Sequence, residues 1–230
     1  MLDLEFGILD FIQKYMTASF LDPIIVAVTT LGNAGAIWIL LALGMMFSKK
    51  YRSTGIVLAI GLIMSLLIGN IILKPLVARL RPFQIREVGE LLITTPSDYS
   101  FPSGHTLSSF ICATILLIRE RKIGYGALFL SILIAFSRLY LYVHFPSDVA
   151  AAVVMGVAIG FLSNNISKKF NESLSKEAKI VYNCIDKQKF LPEEILNTGL
   201  SSGEILSALG ELQMEMLIRA VPGGMYELCN

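Results

Sequence analysis

Long apolar stretches separated by short polar links dominate the hydrophobic pattern of the chain. Five of them occupy residues 34–48, 53–73, 103–118, 123–143 and 147–166. Several approach the ~20 residues that an α-helix needs to cross the hydrocarbon core of a bilayer, and the shorter ones can extend into their flanks. The pattern therefore predicts an all-α polytopic helical bundle with five membrane spans.

The N-terminal region, residues 1–31, is less regular. Its apolar segment at 4–31 is interrupted by Asp10, Gln13, Lys14 and the pair Asp22–Pro23. One interpretation is a further membrane span, which would make six. The recurrence of polar residues through the middle of the segment favours the other interpretation, amphipathic helices that lie in the outer membrane interface.

Basic residues in the links predict the orientation of the bundle. The links at 48–52, 119–122 and 167–170 carry the sequences SKKYR, RERK and SKKF, and all three lie on one side if every stretch spans. By the positive-inside rule this side is the cytoplasm. The links at 74–102 and 144–146 are then predicted to face outside.

Composition agrees with a membrane protein, because 54% of the residues are hydrophobic and only 16% are charged. The mean hydropathy is +0.67. A net charge of +1 gives no overall field that would attract a nucleic acid or another polyanion. The three cysteines are far apart and form no CxxC pair, which indicates neither a disulfide framework nor a zinc site.

Polar side chains gather at the predicted outer ends of the spans, in three clusters. The clusters are Lys74 and Arg81, then Ser103, Gly104 and His105, and finally Arg138, His144 and Asp148. Taken separately, a Lys or Arg at a span end commonly extends its charged group into the membrane–water interface, and a Ser-Gly pair commonly begins a helix. Together they place both histidines of the chain, three cations and a carboxylate at one membrane depth. Ionisable groups within a membrane are costly, so this convergence indicates a functional site.

The chemistry of these residues indicates a phosphate ligand. Guanidinium groups match phosphate oxygens, and the backbone N–H groups of Ser103 and Gly104 point outward from a predicted helix N-terminus, which attracts anions. Two imidazoles allow one to attack phosphorus and the other to protonate the leaving oxygen. Asp148 lies one turn from His144 and can orient it. No cluster of carboxylates accompanies them, so a two-metal mechanism lacks its ligands. No metal or other cofactor is predicted.

Three motifs in the same order resemble the signature of the type-2 phosphatidic acid phosphatase superfamily. They are K-x6-R-P at 74–82, P-S-G-H at 102–105 and S-R-x5-H-x3-D at 137–148, within a resemblance that covers about residues 20–166. The resemblance implies a metal-independent phosphatase that acts on lipid phosphates or diphosphates at the outer leaflet. The longer members of that family usually have six spans, and the polar N-terminus of this chain departs from that pattern.

The resemblance also implies a role for each residue. It makes His144 the nucleophile that forms a phosphohistidine, Asp148 its orienting partner and His105 the general acid, while Lys74, Arg81, Ser103, Gly104 and Arg138 hold the phosphoryl group. The sequence leaves the substrate open among polyprenyl diphosphate, phosphatidylglycerol phosphate and phosphatidic acid. A lipid phosphotransferase that uses the same site is one alternative, and a membrane-anchored regulator or sensor is another.

The C-terminal tail has a different character. Beyond a membrane domain at 1–170, residues 171–230 are predicted to form a small α+β cytoplasmic domain with helices at 174–188, 192–198 and 202–216, followed by a β-hairpin. A capping box of Ser201 and Glu204 marks the start of the third helix, and Pro222-Gly223-Gly224 supplies the hairpin turn. The stretch ILSALGELQMEMLIRAVPGGMYEL resembles the C-terminal winged-helix domain of DNA-processing protein A.

The charge of this winged-helix-like tail argues against a nucleic-acid partner. Residues 171–230 contain five bases against nine acids, a net charge of −4, and the third helix contains Glu204, Glu211 and Glu215 without a Lys or Arg. Phosphate neutralisation supplies most non-specific affinity for DNA, and this surface cannot provide it. The tail is therefore predicted to contact a protein partner or a second copy of the chain.

Overall fold

The computed structural model describes residues 2–48, 50–173, 175–185, 188–214 and 217–229. It contains two compact units, Met1–Asn165 and Ile166–Asn230. The helices that begin in the first unit are α1 Leu2–Tyr15, α2 Asp22–Leu31, α3 Ala36–Met46, α4 Arg52–Met64, α5 Lys74–Val77, α6 Pro82–Ile85, α7 Gly104–Arg119, α8 Arg121–Tyr140 and α9 Pro146–Ser173.

Three helical segments are long and apolar enough to cross a membrane by length and composition. They are Arg52–Ile85, Arg121–Tyr140 and Pro146–Lys168, and a fourth is added if Asp22–Leu31 and Asn33–Met46, bent by 44°, form one span. Helix α7 lies on the third predicted stretch, 103–118, but is shorter than these segments, with 16 residues. The chain is thus a mostly helical membrane protein, while the division into five spans stays a prediction.

The N-terminal region divides into two parts that the sequence did not separate. Helix α1 buries Phe6 and Leu9 in a cluster with Tyr142 and Phe145. Helix α2 instead belongs to the bent pair with α3, so it extends the first predicted apolar stretch toward the N-terminus. A left-handed Gly35, with φ of 70°, lies at the bend between them. Residues 4–31 therefore contain two helices with different packing, and both interpretations of this region stay predictions.

Helix α7 lies at the centre of the bundle. Its residues from Thr106 to Leu116 are all buried. Small residues let α9 approach it closely, since a Cβ added at Gly156 would lie 2.7 Å from Cβ of Phe110, and one added at Gly160 would lie 2.7 Å from Cβ of Thr114. This packing fixes the N-terminal end of α7, where the second motif lies.

A π-helical segment, Ser65–Leu73, continues α4 and ends at Lys74, whose backbone N–H bonds to the carbonyl of Gly69. Pro75 follows, which has no N–H to donate back into the helix. Helix α5 then ends at Ala78, where φ is 47°. Wide helical turns of this kind are frequent at functional sites, and this one brings Lys74 and Arg81 to the same end of the bundle.

The second unit combines helices with a small sheet. Its elements are α10 Lys176–Cys184, β1 Lys189–Phe190, a 3₁₀ helix Pro192–Thr198, α11 Ser202–Met214, β2 Ile218–Val221 and β3 Met225–Leu228. The three strands are antiparallel in the order β1-β3-β2, and β2 and β3 form the predicted hairpin. Both turn glycines have positive φ, 90° at Gly223 and 72° at Gly224, a conformation that glycine adopts without steric cost.

The predicted helices of the second unit require one correction. The helix predicted at 174–188 ends at Cys184, and Lys189 and Phe190 pair with β3 as a strand that periodicity did not reveal. Residues 174, 186, 187, 215 and 216, which the predictions also assigned to helices, lie outside the described residues. The predicted capping box is present, since the carboxylate of Glu204 accepts from the backbone N–H and the hydroxyl of Ser201 at 2.7 Å each.

Candidate active site

The structure brings the sequence-predicted residues together at one end of the bundle. A cavity of about 1050 Å³ is lined by Lys74, Arg81, Gly104, His105, Arg138 and His144. The other two predicted residues, Ser103 and Asp148, are fully buried, and the backbone N–H of Ser103 bonds to the carbonyl of Asp148 at 3.4 Å. All three motifs therefore meet around a single space.

Arg81 is almost completely buried, and its guanidinium has several fixed partners. Nη1 donates to the carbonyl of Val143 at 2.7 Å, and the same atom lies 3.1 Å from Nε2 of His144. Nε donates to the backbone carbonyl of Asp98 at 2.8 Å. Because an arginine only donates, Nε2 of His144 accepts, and the proton of the neutral ring is on Nδ1. The lone pair of Nε2 is thereby directed to the cation that lines the cavity.

The other face of His144 is turned to Asp148, but the two are not directly hydrogen-bonded. Nδ1 lies 3.7 Å from Oδ2 of Asp148 and 3.4 Å from Oγ of Ser100. The Ser100 hydroxyl donates to Oδ2, which also accepts from the backbone N–H of Phe145 at 2.8 Å. The carboxylate predicted to orient His144 is therefore held in place by Ser100 and the backbone. Orienting bonds are often long without substrate.

Burial is the main influence on the protonation of His144, which lies in the link between α8 and α9. Burial lowers the pKa of the imidazole below its ordinary value, Asp148 opposes the shift, and the positive charges of Arg81 and Arg138 add to it. A lowered pKa keeps the ring neutral near pH 7. The neutral ring is the form that can act as a nucleophile.

His105 stands on the first turn of α7, held by a contact that crosses the bend between α2 and α3. Its Nε2 lies 2.9 Å from Oδ1 of Asn33. Since a carbonyl oxygen only accepts, this bond holds a proton on Nε2. Gly32 makes room for the ring, because a Cβ added there would lie 2.7 Å from Cδ2 of His105. The orientation of His105 and the space it occupies thus both depend on the bent pair.

Arg138 is buried with an unsatisfied donor. Nη1 donates to the hydroxyl of Thr29. Among the described residues, no group accepts a hydrogen bond from its buried Nε. A buried charged donor without a partner is costly, and an anion in the adjoining cavity would satisfy it.

Asp98, which the sequence motifs do not include, pairs with two of the three cations. Its carboxylate bonds to Nζ of Lys74 and, at 2.6 Å, to Nη2 of Arg81. Although burial by itself would raise the pKa of Asp98, the hydrogen bonds and charges of Lys74 and Arg81 lower it to about 2. In this structure an ionised carboxylate therefore occupies the partners that a phosphate would need.

The remaining walls of the cavity are apolar. Ile39, Leu43 and Met46 face it from α3 at a spacing of one helical face, and Leu62, Ile63 and Leu66 face it from α4 and the π-helical segment. Ile39, Leu43, Ile63 and Leu66 are also exposed. The space thus has one polar end and a long apolar side.

Several residues that touch this site were not predicted from the sequence, although some stand inside or beside the motifs. Arg79 lies within KPLVARLRP and Ser100 lies two residues before PSGH, so proximity could have indicated both. Asn33 and Thr29 could not have been found, because only the packing of α2 and α3 brings them to the site. Among the described residues, no group of three His, Cys, Asp or Glu side chains could hold a metal ion.

Fold and site together define a helical membrane protein with a cavity that is lined by three cationic side chains and two histidines. The model of the PAP2 superfamily, the type-2 phosphatidic acid phosphatases, matches residues 54–172, more than half of the chain. The chain therefore belongs to the PAP2 superfamily, and the family predicted from the three motifs is confirmed. The match ends at residue 172, so the winged-helix resemblance of the tail stays a prediction.

Individual relatives agree with this assignment. The chain is 35% identical to undecaprenyl-diphosphatase of Sulfolobus acidocaldarius, over 56% of this chain and 63% of that protein. It is 34% identical to undecaprenyl-diphosphatase BcrC of Bacillus subtilis, over 63% of this chain and 74% of that protein. The crystal structure of Aquifex aeolicus LpxE matches with a TM-score of 0.59 and 26% identity, over 70% of this chain and 95% of that one.

Proposed function

We propose that this protein is an integral membrane phosphatase that hydrolyses lipid phosphate or diphosphate esters through a phosphohistidine intermediate. The observation that carries the proposal is the cavity in which Arg81, Arg138 and Lys74 meet His144 and His105 beside an apolar wall. The cations match a phosphoryl group, and the apolar side matches a lipid tail. The activities named for the relatives support the same class of enzyme.

The chemistry follows from the two histidines. Nε2 of His144 attacks phosphorus, the bond from phosphorus to the ester or bridging oxygen breaks, and the leaving oxygen takes a proton from the imidazolium form of His105. Water then attacks the phosphohistidine and gives a proton to the neutral His105 ring, which releases inorganic phosphate and restores the neutral His144 ring and the His105 imidazolium. Arg81, Arg138, Lys74 and the N-terminus of α7 would stabilise the charge on the phosphoryl oxygens in both steps. Asp148 would stabilise the cation that forms on His144.

Polyprenyl diphosphate is the substrate that we propose to test first. Two relatives are named for that activity, and Ile39, Leu43 and Met46 offer an apolar path along α3. The purified protein should be assayed in detergent with polyprenyl diphosphate, phosphatidylglycerol phosphate and phosphatidic acid, each with a chelator present. Release of inorganic phosphate that is lost in His144→Ala would support the proposal. Binding of all three without turnover would favour a sensor instead.

The orientation of the site is part of the proposal. The basic links support five spans with the active site outside and the tail in the cytoplasm. The exposed Cys184 of the tail is a natural reporter for the inner side. A membrane-impermeant thiol reagent on intact cells should label Ser97→Cys, whereas Cys184 should react only after permeabilisation. Labelling of Cys184 in intact wild-type cells would contradict this topology.

For the tail we propose a winged-helix-like module, residues 171–230, that contacts a protein partner or a second copy of the chain. The order of α10, β1, the 3₁₀ helix, α11 and the β2–β3 hairpin supports this fold. The acidic character of α11, with Glu204 and Glu211, supports a protein surface over DNA. Pull-down of one tagged full-length copy by another, compared with copies that lack 171–230, tests self-association.

A further inference from the structure

Glu5 is a buried carboxylate that the proposed chemistry does not use. It stands on α1 with 6% of its surface exposed. A buried charge needs partners, and Glu5 has three. Its carboxylate pairs with the guanidinium of Arg79, accepts from the hydroxyl of Ser147, and accepts from the backbone N–H of Ser147 at 3.2 Å. The N-terminal helix is thereby attached to the start of α9.

Arg79 connects Glu5 to the candidate active site. While Nη2 bonds to Glu5, Nη1 donates to Oδ1 of Asp148 at 2.6 Å and to Oγ of Ser147 at 2.7 Å. The guanidinium also lies over the ring of Phe145, 4.1 Å from its centre. Because these contacts hold the planar guanidinium of Arg79, the carboxylates of Glu5 and Asp148 that it bonds have little freedom to rotate.

The contact with Arg79 completes the hydrogen bonding of Asp148. Oδ2 is held by Ser100 and by the backbone of Phe145 on the side of His144, and Oδ1 is held by Arg79. With both oxygens bonded, the carboxylate keeps Oδ2 turned to Nδ1 of His144. Without Arg79, only one of the two oxygens would remain fixed by these bonds.

The charges of Glu5, Arg79 and Asp148 indicate why Arg79 requires Glu5 as a second partner. A guanidinium against Asp148 alone would weaken the field that stabilises a positive charge on His144. Glu5 pairs with the other side of Arg79 and offsets this effect, which leaves the group of three with one net negative charge. Without Glu5, Arg79 and Asp148 would together carry no net charge when the imidazole of His144 becomes cationic.

We propose that Glu5 and Arg79 are a positioning pair for phosphoryl transfer, which acts on His144 through Asp148. The inference rests on the proposed phosphatase function. It predicts that disruption of the pair lowers kcat and leaves KM unchanged, because neither residue lines the cavity in which the substrate binds.

A second ion pair on the same helix provides a matched control. Asp10 of α1 pairs with Arg86 at 2.7 Å and accepts from the hydroxyl of Tyr142 at 2.9 Å, but it does not touch Asp148. Asp10→Asn therefore loosens the attachment of α1 without changing the partners of Asp148. Any effect that Glu5→Gln shares with Asp10→Asn belongs to the docking of the helix.

The experiment compares full-length wild type, Glu5→Gln, Arg79→Lys and Asp10→Asn in detergent, with kcat, KM and thermal unfolding measured for each. Small displacements of a catalytic group cost on the order of 10²-fold in rate, so kcat of Glu5→Gln and Arg79→Lys should fall by about that factor. Both variants should keep the wild-type KM, and Asp10→Asn should keep both constants. If Glu5→Gln does not fold, the charge-preserving Arg79→Lys carries the test.

Two results would overturn the positioning pair. One is an active wild type beside a Glu5→Gln or Arg79→Lys variant that keeps its kcat. The other is an equal loss of kcat in Glu5→Gln and Asp10→Asn, which would assign the effect to helix docking. A wild type that turns over none of the lipid phosphates would contradict the proposed function itself, and the pair with it.

Discussion

Nη1 of Arg81 lies 3.1 Å from Nε2 of His144. The cation proposed to bind the phosphoryl oxygens therefore touches the atom proposed to attack phosphorus. A phosphate that displaces this contact would take over the N–H of Arg81 and free the lone pair of Nε2 in the same movement. The relationship links binding of the phosphoryl group to exposure of the nucleophile.

Arg81→Lys should reduce turnover because an ammonium cannot reproduce the fork that reaches Val143, Asp98 and His144 together. Loss of one donor at a site of developing negative charge costs about 10²–10³-fold in kcat. We expect a decrease of that size in a steady-state assay with lipid diphosphate. The control is Arg86→Lys, at an exposed arginine of the neighbouring segment, which should keep wild-type activity. Equal activity of the two variants would contradict the role of Arg81.

Asp98→Asn should increase the affinity of the site for inorganic phosphate. The carboxylate of Asp98 holds Lys74 and Arg81 in the absence of substrate, so an anion has to displace it. An amide at this position competes less well for the two cations, and product inhibition by phosphate should therefore set in at a lower concentration. Glu90→Gln in the same link is the control. Weaker inhibition by phosphate in Asp98→Asn would show that Asp98 does not compete.

The same substitution should change how stability depends on pH. The pKa of Asp98 is lowered from 3.8 to about 2, so its ion pairs stabilise the folded protein fully above pH 4 and lose this effect as the pH falls toward 2. Thermal unfolding in detergent should place wild type above Asp98→Asn at pH 7, with a difference that shrinks below pH 4. A difference that grows on acidification would have the wrong sign for this pairing.

Gly32→Ala should impair catalysis from a position outside the three motifs. The added methyl group would lie 2.7 Å from Cδ2 of His105 and 3.2 Å from Cγ2 of Ile134, so the imidazole has to move. General acid catalysis contributes about 10²–10⁴-fold, and kcat should fall within that range. Gly44→Ala is the matched control, because nothing lies within 4 Å of its added Cβ. A good leaving group on the substrate should restore part of the lost rate.

The sequence predicted which residues form the site, but it did not predict all of the contacts between them. Lys74, Arg81, His105 and His144 could be identified because charged and ionisable groups are costly within apolar stretches. Their grouping at one end followed from the alternation of the spans. The contact between Glu5 and Arg79 could not be predicted in this way, since it joins segments that are distant in the sequence.

For a related reason, the sequence pattern predicted some elements of the fold and not others. Apolar runs predicted α4, α8 and α9 well, because membrane helices need long hydrophobic sequences. The bend at Gly35 and the π-helical turn before Lys74 depend on tertiary packing and left no periodic signal. Strand β1 has only two residues, too few for an alternating pattern.

Deletion of the tail should leave catalysis intact. The predicted site residues all lie in the first compact unit, which ends at Asn165. A chain that stops after residue 170 should therefore hydrolyse lipid phosphate in detergent with the kcat and KM of the full-length protein. Full-length protein should also show no salt-dependent binding to duplex DNA beyond that of the truncated chain. Loss of activity on truncation, or DNA binding that requires residues 171–230, would contradict the separate contact role.

Trapping of the phosphoenzyme tests the central claim most directly. Rapidly quenched reactions of wild type, His144→Ala and His105→Ala with a lipid phosphate analogue that has a good leaving group should be digested and examined by mass spectrometry. The account predicts one added phosphoryl group on the peptide that contains His144, stable to alkali and labile to acid, in wild type and in His105→Ala. His144→Ala should carry none. A phosphorylated His105, or a His144→Ala variant that keeps turning over substrate, would contradict the account.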